Sequence, residues 1–361
     1  MPQRTSGDRP TALVAGVSGI AGSAVATHLS QLGWTVYGLS RGHVKTWSDV
    51  HRVTADLSDA RDVKTAVADL RPTHVFYTAW KRHQTEAENI AVNGAMVRNL
   101  LDALAPGGSV QHVALLTGLK HYVGPPEAQP VKGTPDTPFR EDEPRLGVDN
   151  FYYAQEDETF AAAERQGFTW SVHRAHTIIG HSVGNAMNMG LTLAVQAAIC
   201  REERRPFVFP GSEIRWNGLG DMTDADLLAR HMTWASTAPK AGNEAYNVVN
   251  GDVFRWRSMW PRLAEMLDVD AEGFSGRQRP LTEQMMASAA TWTKLTARHN
   301  LVEPDVQRLA SWWHTDGDLG RSVEMIADMS KSRVAGFTDY VRTEDAFRIL
   351  FERYRQDRII P

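Results

Sequence analysis

A single cysteine, Cys200, stands in a chain of 361 residues. One thiol excludes an internal disulfide and fits a reducing compartment, so its expected role is that of a small buried hydrophobe. No apolar run approaches the roughly 20 residues of a membrane span. Residues 1–9 are polar, lack the apolar segment of a signal peptide, and read as a disordered lead. Charge of one sign is scarce too: a formal net charge of −4 gives no reason to expect nucleic acid or an anionic membrane as partner. Internal repeats and low-complexity tracts are missing. The remainder, 42% hydrophobic and 23% charged, has the make-up of an ordinary globular protein. The expected location is cytoplasmic.

Glycine, in contrast, is placed with a purpose. Pro10 to Gly22 reads as a short apolar strand (Ala12 to Ala15) meeting glycines at 16, 19 and 22. A helical pattern follows (Ile20, Val25, Leu29, Leu32), then a second strand from Thr35 to Leu39. Strand, glycine turn, helix and strand form the setting a dinucleotide fingerprint requires. Gly16 permits the sharp turn, Gly19 removes a side chain where the pyrophosphate approaches, and Gly22 lets helix pack on strand. Ser18 and Ile20 share this turn, whose free N–H groups and helix dipole would meet the phosphates. The second strand ends in Ser40-Arg41 rather than an acid, which suits a 2′-phosphate and hence NADPH. The plain alternative is a tight turn followed by a solvated arginine.

Further along, strands and helices alternate as in a parallel, doubly wound α/β sheet of Rossmann type. A short strand reaches Asp56, and a capped helix runs from about 59 to 70. Asp56 and Leu57 either contact the adenine or simply cap that helix. The fourth strand, Thr73 to Ala79, brings Thr78 to the cofactor edge; Trp80 beyond it either lines the substrate mouth or packs. A helix spans about 85–104 and the fifth strand Val110 to Leu116, ending at Thr117. Residues 123–149, rich in proline, form a long loop of the kind that is usually functional. A helix over about 151–166 precedes a strand from Thr169 to Arg174 and the tail Ala175 to Gly180. An almost wholly apolar helix covers 185–201, Pro206 to Pro210 is a strand, a capped helix spans about 224–236, and Glu244 to Val249 returns to the sheet. From about 252 Trp, Met and helix formers dominate. The expected division is a dinucleotide-binding domain over 10–184, with return segments near 207–251, and a smaller, mainly helical substrate lobe over 185–206 and 252–361.

Two stretches carry chemistry: Thr117-Gly118-Leu119-Lys120-His121-Tyr122 after the fifth strand, and Asn150-Phe151-Tyr152-Tyr153-Ala154-Gln155-Glu156-Asp157 at the head of the next helix. Both fall at the carboxyl edge of the sheet. An ordinary short-chain reductase places Tyr-x-x-x-Lys on this helix, where the cation lowers the phenol's pKa and holds the ribose. Here Glu156 and Asp157 occupy the lysine positions. Lys120 is the cation best placed to replace it. His176 and His181 lack a third ligand, so no metal is expected.

At these motifs the chain resembles the PRISE enone reductases (progesterone 5β-reductase/iridoid synthase-like), an atypical branch of the extended short-chain dehydrogenase/reductases. Further marks are Gly16 to Gly22, Trp170 to Arg174, Asn247 to Trp256, Met329 to Arg333 with Gly336-Phe337, and the closing Ile359-Ile360-Pro361. The resemblance implies Tyr152 as catalytic tyrosine, with Tyr153 as the alternative should the register differ by one, and Lys120 as catalytic lysine. It departs at Arg41, followed by Gly42 where relatives have a second arginine, and at Ala175-His176, where they have Pro-Gly. The segment Ala175, His176 and Ile178 would border the nicotinamide, and Phe337 would close the pocket.

The expected reaction is NADPH-dependent 1,4-reduction of an α,β-unsaturated carbonyl, steroid-like or small and apolar. Hydride reaches the β-carbon while Tyr152 and Lys120 stabilise the enolate. The alternatives are a carbonyl 1,2-reductase, an extended-type epimerase or dehydratase, or a non-catalytic NADPH-binding sensor. Helices 85–104 and 151–166 would pair two copies as a homodimer.

Overall fold

The computed structural model describes residues 9–42, 49–125, 136–185 and 187–361. The expectation for the first residues therefore lies, Arg9 apart, outside the described residues, as does the middle of the proline-rich loop. Strands β1 (Thr11–Ala15), β2 (Thr35–Ser40), β3 (Val50–Thr54), β4 (His74–Tyr77), β5 (His112–Gly118) and β6 (Thr169–Ala175) alternate with helices. These are α1 (Ile20–Gln31), α2 (Ala60–Val67), α3 (Glu86–Leu104), α4 (Lys120–Val123) and α5 (Phe151–Gln166). With the strand Glu244–Val248 they build a seven-stranded sheet, ordered Glu244–Val248, β6, β5, β4, β1, β2, β3. All its pairings are parallel. The order runs in opposite directions from the β1–β4 junction, and ligands of such sheets bind in the crevice beyond the carboxyl ends there.

Burial on both faces explains the sequence of the central strands. Leu13 points to one face and Val14 to the other, and both are wholly buried. Helices α2, α3 and α5 cover the first face, where Val97, Leu100 and Leu101 meet Leu13, Val75 and Leu115. The opposite face is covered by α1 and the helix Ala225–Thr237, whose Val25, Leu29, Leu228 and Met232 meet Val14, Phe76 and Ala114.

Beyond the sheet a second core surrounds α6 (Met189–Glu202), buried all round from Met189 to Cys200. That burial accounts for its nearly unbroken apolar sequence. It starts later than periodicity suggests because the Asn188 side chain caps it, accepting from Leu191 N at 3.0 Å. Around it pack Trp256–Met266, Ser288–His299 and Thr343–Gln356. The Trp260 ring stacks on Phe207 with centroids 4.0 Å apart and donates from Nε1 to Phe207 O at 2.9 Å. Burial in this core pushes the Cys200 thiol up to about 11. Two short strand pairs stand outside the main sheet: Ala271–Glu272 with Phe207–Val208, and Ile178–Ile179 with Thr223–Asp224. Two-residue strands are too short to leave a periodic signature. Among the described residues no helix is long and apolar enough to cross a membrane.

Candidate active site

The glycine turn is built for close approach. Gly16 has φ +86°, and a Cβ there would lie 2.9 Å from Ala79 Cα. At Gly22 a Cβ would fall 2.2 Å from Gly16 O and 2.8 Å from Thr78 Oγ1. Strand β1, the turn, α1 and the end of β4 therefore lock together only without side chains. Thr78 adds to the lock, donating from Oγ1 to Ala15 O at 2.8 Å. Gly19 is the N-cap of α1 and supplies no capping side chain, so the leading N–H groups face outward for an anion. Ser18 beside it is exposed, and Ile20 is buried where a Cβ on Gly180 would come within 2.7 Å of its Cγ2.

At the end of β2, Ser40 is buried and donates from its hydroxyl to Gly42 O at 3.2 Å. Arg41 is exposed. Asp56, beyond β3, accepts from the backbone and hydroxyl of Ser58 at 2.9 and 2.6 Å. These bonds hold its carboxyl below the usual range, with Lys81 and Arg41 close enough to add to the effect. Leu57 is buried and its carbonyl accepts from Asn99 Nδ2 at 2.9 Å. Asp59, not Asp56, caps α2 by accepting from Arg61 N and Asp62 N. Asp56 and Leu57 stand in the turn between β3 and α2. The Thr117 hydroxyl at the end of β5 is buried without a partner among the described residues.

The tyrosine and lysine meet at the end of β5. The register sets Gly118 opposite Ala175. A Cβ on Gly118 would lie 3.0 Å from Ala175 O and 3.2 Å from the Tyr152 hydroxyl, so the missing side chain makes room for the phenol. Lys120 Nζ lies 4.8 Å from the centre of the Phe151 ring and 5.8 Å from that of Tyr152. The first residue of the second stretch, which had no role of its own in the sequence reading, fixes this geometry. Asn150 donates from Nδ2 to Lys120 O at 2.8 Å, and its Oδ1 accepts from Tyr152 N at 3.1 Å. Its signal was present, an Asn directly before a helical run. Glu86 secures the same helix start, its Oε1 accepting from Phe151 N at 2.8 Å. Trp80, half-buried, stacks on Phe151 with ring centroids 5.7 Å apart.

Burial, reinforced by Glu86, pushes the Tyr152 phenol up to about 12. A phenol held protonated is a hydrogen-bond donor. Tyr153 is placed differently. It donates from its hydroxyl to His121 O at 2.8 Å and accepts from Leu146 N at 3.0 Å. The Arg145 guanidinium lies over its ring, 4.8 Å from the centre. Arg145 also pairs with Glu156 at 2.8 Å and Asp157 at 2.7 Å, so the two acids at the lysine positions bind a cation from the preceding loop. Tyr122 and His121 brace the lysine segment: Tyr122 donates to Asn247 Oδ1 at 2.7 Å and stacks on Phe139.

His176 follows β6 and is buried, its Nδ1 2.6 Å from Asp221 Oδ1. Ile178 begins the short strand paired with Thr223. The structure does not bring Phe337 to this group: its ring packs on His231 and Trp234 of Ala225–Thr237, with centroids 4.5 and 5.4 Å apart. Asp318 and Arg321 arrive instead from the lobe, close enough to Tyr152 for their charges to act on it. No spacing in the sequence links these residues to the tyrosine. Among the described residues no group of three His, Cys, Asp or Glu is arranged for a metal.

This architecture is a doubly wound sheet of Rossmann type, shared with solved nucleotide-sugar epimerases. The Thermus thermophilus UDP-glucose 4-epimerase in complex with NAD superimposes with a TM-score of 0.67 at 16% identity, over 96% of this chain and 99% of that one. The sequence narrows the class: residues 43–361 match the PRISE-like Rossmann-fold domain, and the chain belongs to that family. It is 39% identical to the 3-oxo-Delta(4,5)-steroid 5-beta-reductase of Arabidopsis thaliana, covering 97% of this chain and 93% of the relative. It is 37% identical to the (S)-8-oxocitronellyl enol synthase CYC2 of Camptotheca acuminata, with the same coverage.

Proposed function

We propose that this protein is an NADPH-dependent enone reductase that adds hydride to the β-carbon of an α,β-unsaturated carbonyl. The carrying observation is the joining of Tyr152 and Lys120 at the end of β5 by Asn150, in a family whose relatives bear the names given above. NADPH, when bound, supplies the hydride. The residues present suit it: Gly16, Ser18, Gly19, Ile20 and Gly22 for the pyrophosphate, Ser40 and Arg41 for the 2′-phosphate, and Asp56 and Leu57 for the adenine. Thr78 and Thr117 stand at the carboxyl ends of β4 and β5, the Thr117 hydroxyl without a partner among the described residues, and Ala175, His176 and Ile178 would border the nicotinamide.

Negative charge grows on the carbonyl oxygen as the β-carbon becomes saturated. Tyr152, protonated far above neutral pH, donates to that oxygen, a contribution of roughly 3–4 kcal/mol in comparable sites. Lys120 adds positive charge beside the enolate or holds the ribose. The α-carbon then takes its proton from water. Trp80 borders the substrate; Tyr153, its hydroxyl occupied twice, contributes its ring edge at most.

The test is incubation with NADPH or NADH and 2-cyclohexen-1-one, with product identification. Cyclohexanone is expected, with NADPH preferred. Allylic alcohol would mean 1,2-reduction, and no consumption across a panel of enones would favour a sensor. The same reading includes a cofactor domain over 10–184 with a substrate lobe, cytoplasmic location in keeping with a buried lone thiol, and a homodimer through α3 and α5. Light scattering tests the last.

A further inference from the structure

Arg215 lies in the short helix Glu213–Asn217 and is only 5% exposed. Among the described residues, nothing hydrogen-bonds or ion-pairs with its guanidinium, and its Nε is buried without a partner. Three carboxylates act on it electrostatically, Asp318, Asp221 and Glu324. Each already has its own donors. Asp318 accepts from Arg321 at 3.2 Å and from Thr177 Oγ1 at 3.2 Å. Asp221 is bound by His176 at 2.6 Å and by Ala327 N at 2.7 Å. Glu324 accepts from Leu219 N at 2.7 Å and Thr137 Oγ1 at 3.3 Å. Its Nε is withdrawn from water with no acceptor, which is unfavourable unless something else supplies one.

Its place suggests what that is. Thr177 follows two residues after Ala175, whose carbonyl sits beside Gly118 and the Tyr152 hydroxyl. Arg321 and Asp318 act on Tyr152 and on Arg215 alike. His314, on Trp312–Leu319, feels Lys120 and Arg82 and has its Nδ1 buried without a partner. A guanidinium and an imidazole nitrogen without partners among the described residues thus lie among the same charged groups that act on Tyr152, where a purely hydrocarbon substrate would call for apolar lining.

We propose that Arg215 binds a carboxylate carried by the substrate, with His314 as a second donor, so that the preferred enone is an acid. This rests on the enone-reductase reading and names its substrate class. The planar fork matches a carboxylate in two parallel hydrogen bonds.

The test uses 4-oxopent-2-enoate, 6-oxohept-4-enoate and 8-oxonon-6-enoate, each beside its methyl ester, with NADPH. At least one acid should exceed its ester in kcat/KM by roughly tenfold or more, as hydrogen bonds to a charged group allow. Arg215→Met should bring that ratio near one, and Arg215→Lys should leave it intermediate. Because the readout is a ratio, any general loss of activity divides out. Esters equal to or better than every acid, or a ratio untouched in Arg215→Met, would overturn the proposal. If neither acids nor esters nor cyclohexenone are reduced, the enone reading fails, and binding still decides. 4-Oxopentanoate should raise the melting temperature of the NADPH complex more than its methyl ester does, an advantage lost in Arg215→Met. No advantage of the acid in the wild type would sink the carboxylate site by itself.

Discussion

The glycine turn and the tyrosine corner lie at the same edge of one sheet, yet they are built in opposite ways. The turn is a local object. Residues 11–22 form it, and its tolerances are set by hydrogens standing where methyl groups would collide. The corner is assembled from β5, α4, α5, β6 and the lobe, and its working groups come from positions as far apart as Lys120 and Arg321. A local device can be reused with many chemistries, while an assembled one carries the specificity.

The largest expected effect separates the two. Tyr152→Phe removes the donor without touching the turn, so kcat should fall about 10²–10³-fold while NADPH affinity by fluorescence titration persists. A variant with full activity would remove the phenol from the mechanism. Gly22→Ala does the converse: its methyl would meet Gly16 O at 2.2 Å. NADPH affinity should drop at least tenfold, with about 1–3 kcal/mol of stability lost by overpacking in denaturant melts. Wild-type affinity would mean that the turn is not the cofactor cradle.

Asn150 sharpens the contrast, because it serves the helix and the corner together. Asn150→Ala should cost about 1 kcal/mol through the lost cap and reduce kcat several-fold. Asn150→Asp keeps the acceptor for Tyr152 N but has no donor for Lys120 O. It should therefore recover the stability and not the rate; recovery of both would reduce Asn150 to a cap. The smallest effect concerns pH. A phenol raised to about 12 keeps its proton, and its donor capacity, at every pH below that value. The rate should show no alkaline loss from Tyr152 between about pH 6 and 9, where a phenol whose pKa an adjacent cation had lowered would titrate. A limb there that disappears in Tyr152→Phe would show that Lys120 lowers the pKa once cofactor is bound.

The same contrast governs how much could be read in advance. Helix α5 matches its expected span, 151–166, because its ends are written locally: Asn150 caps the start, and Gly167 takes φ +80° at the close. The broken Tyr-x-x-x-Lys was visible as Glu156, and the structure adds the reason the acid is tolerated, namely Arg145. That partner stands in a proline-rich loop with no periodicity to place it. Arg215, Asp318 and Arg321 were illegible for a similar cause. Charged residues are ordinarily solvated, and only tertiary packing turns these three inward. Phe337 shows the reverse limit, a residue whose neighbourhood in sequence said little about which side of the sheet would receive it.

The ion pair between Arg145 and Glu156 also bears on what position 156 can hold. Placing lysine at 156 alone would set two cations against each other where Arg145 now stands 2.8 Å from the carboxylate. Arg174, whose charge also acts on Glu156, would make a third. Glu156→Lys would therefore set three cations within reach of one another on a buried helix face, and only a second change at Arg145 would relieve the crowding.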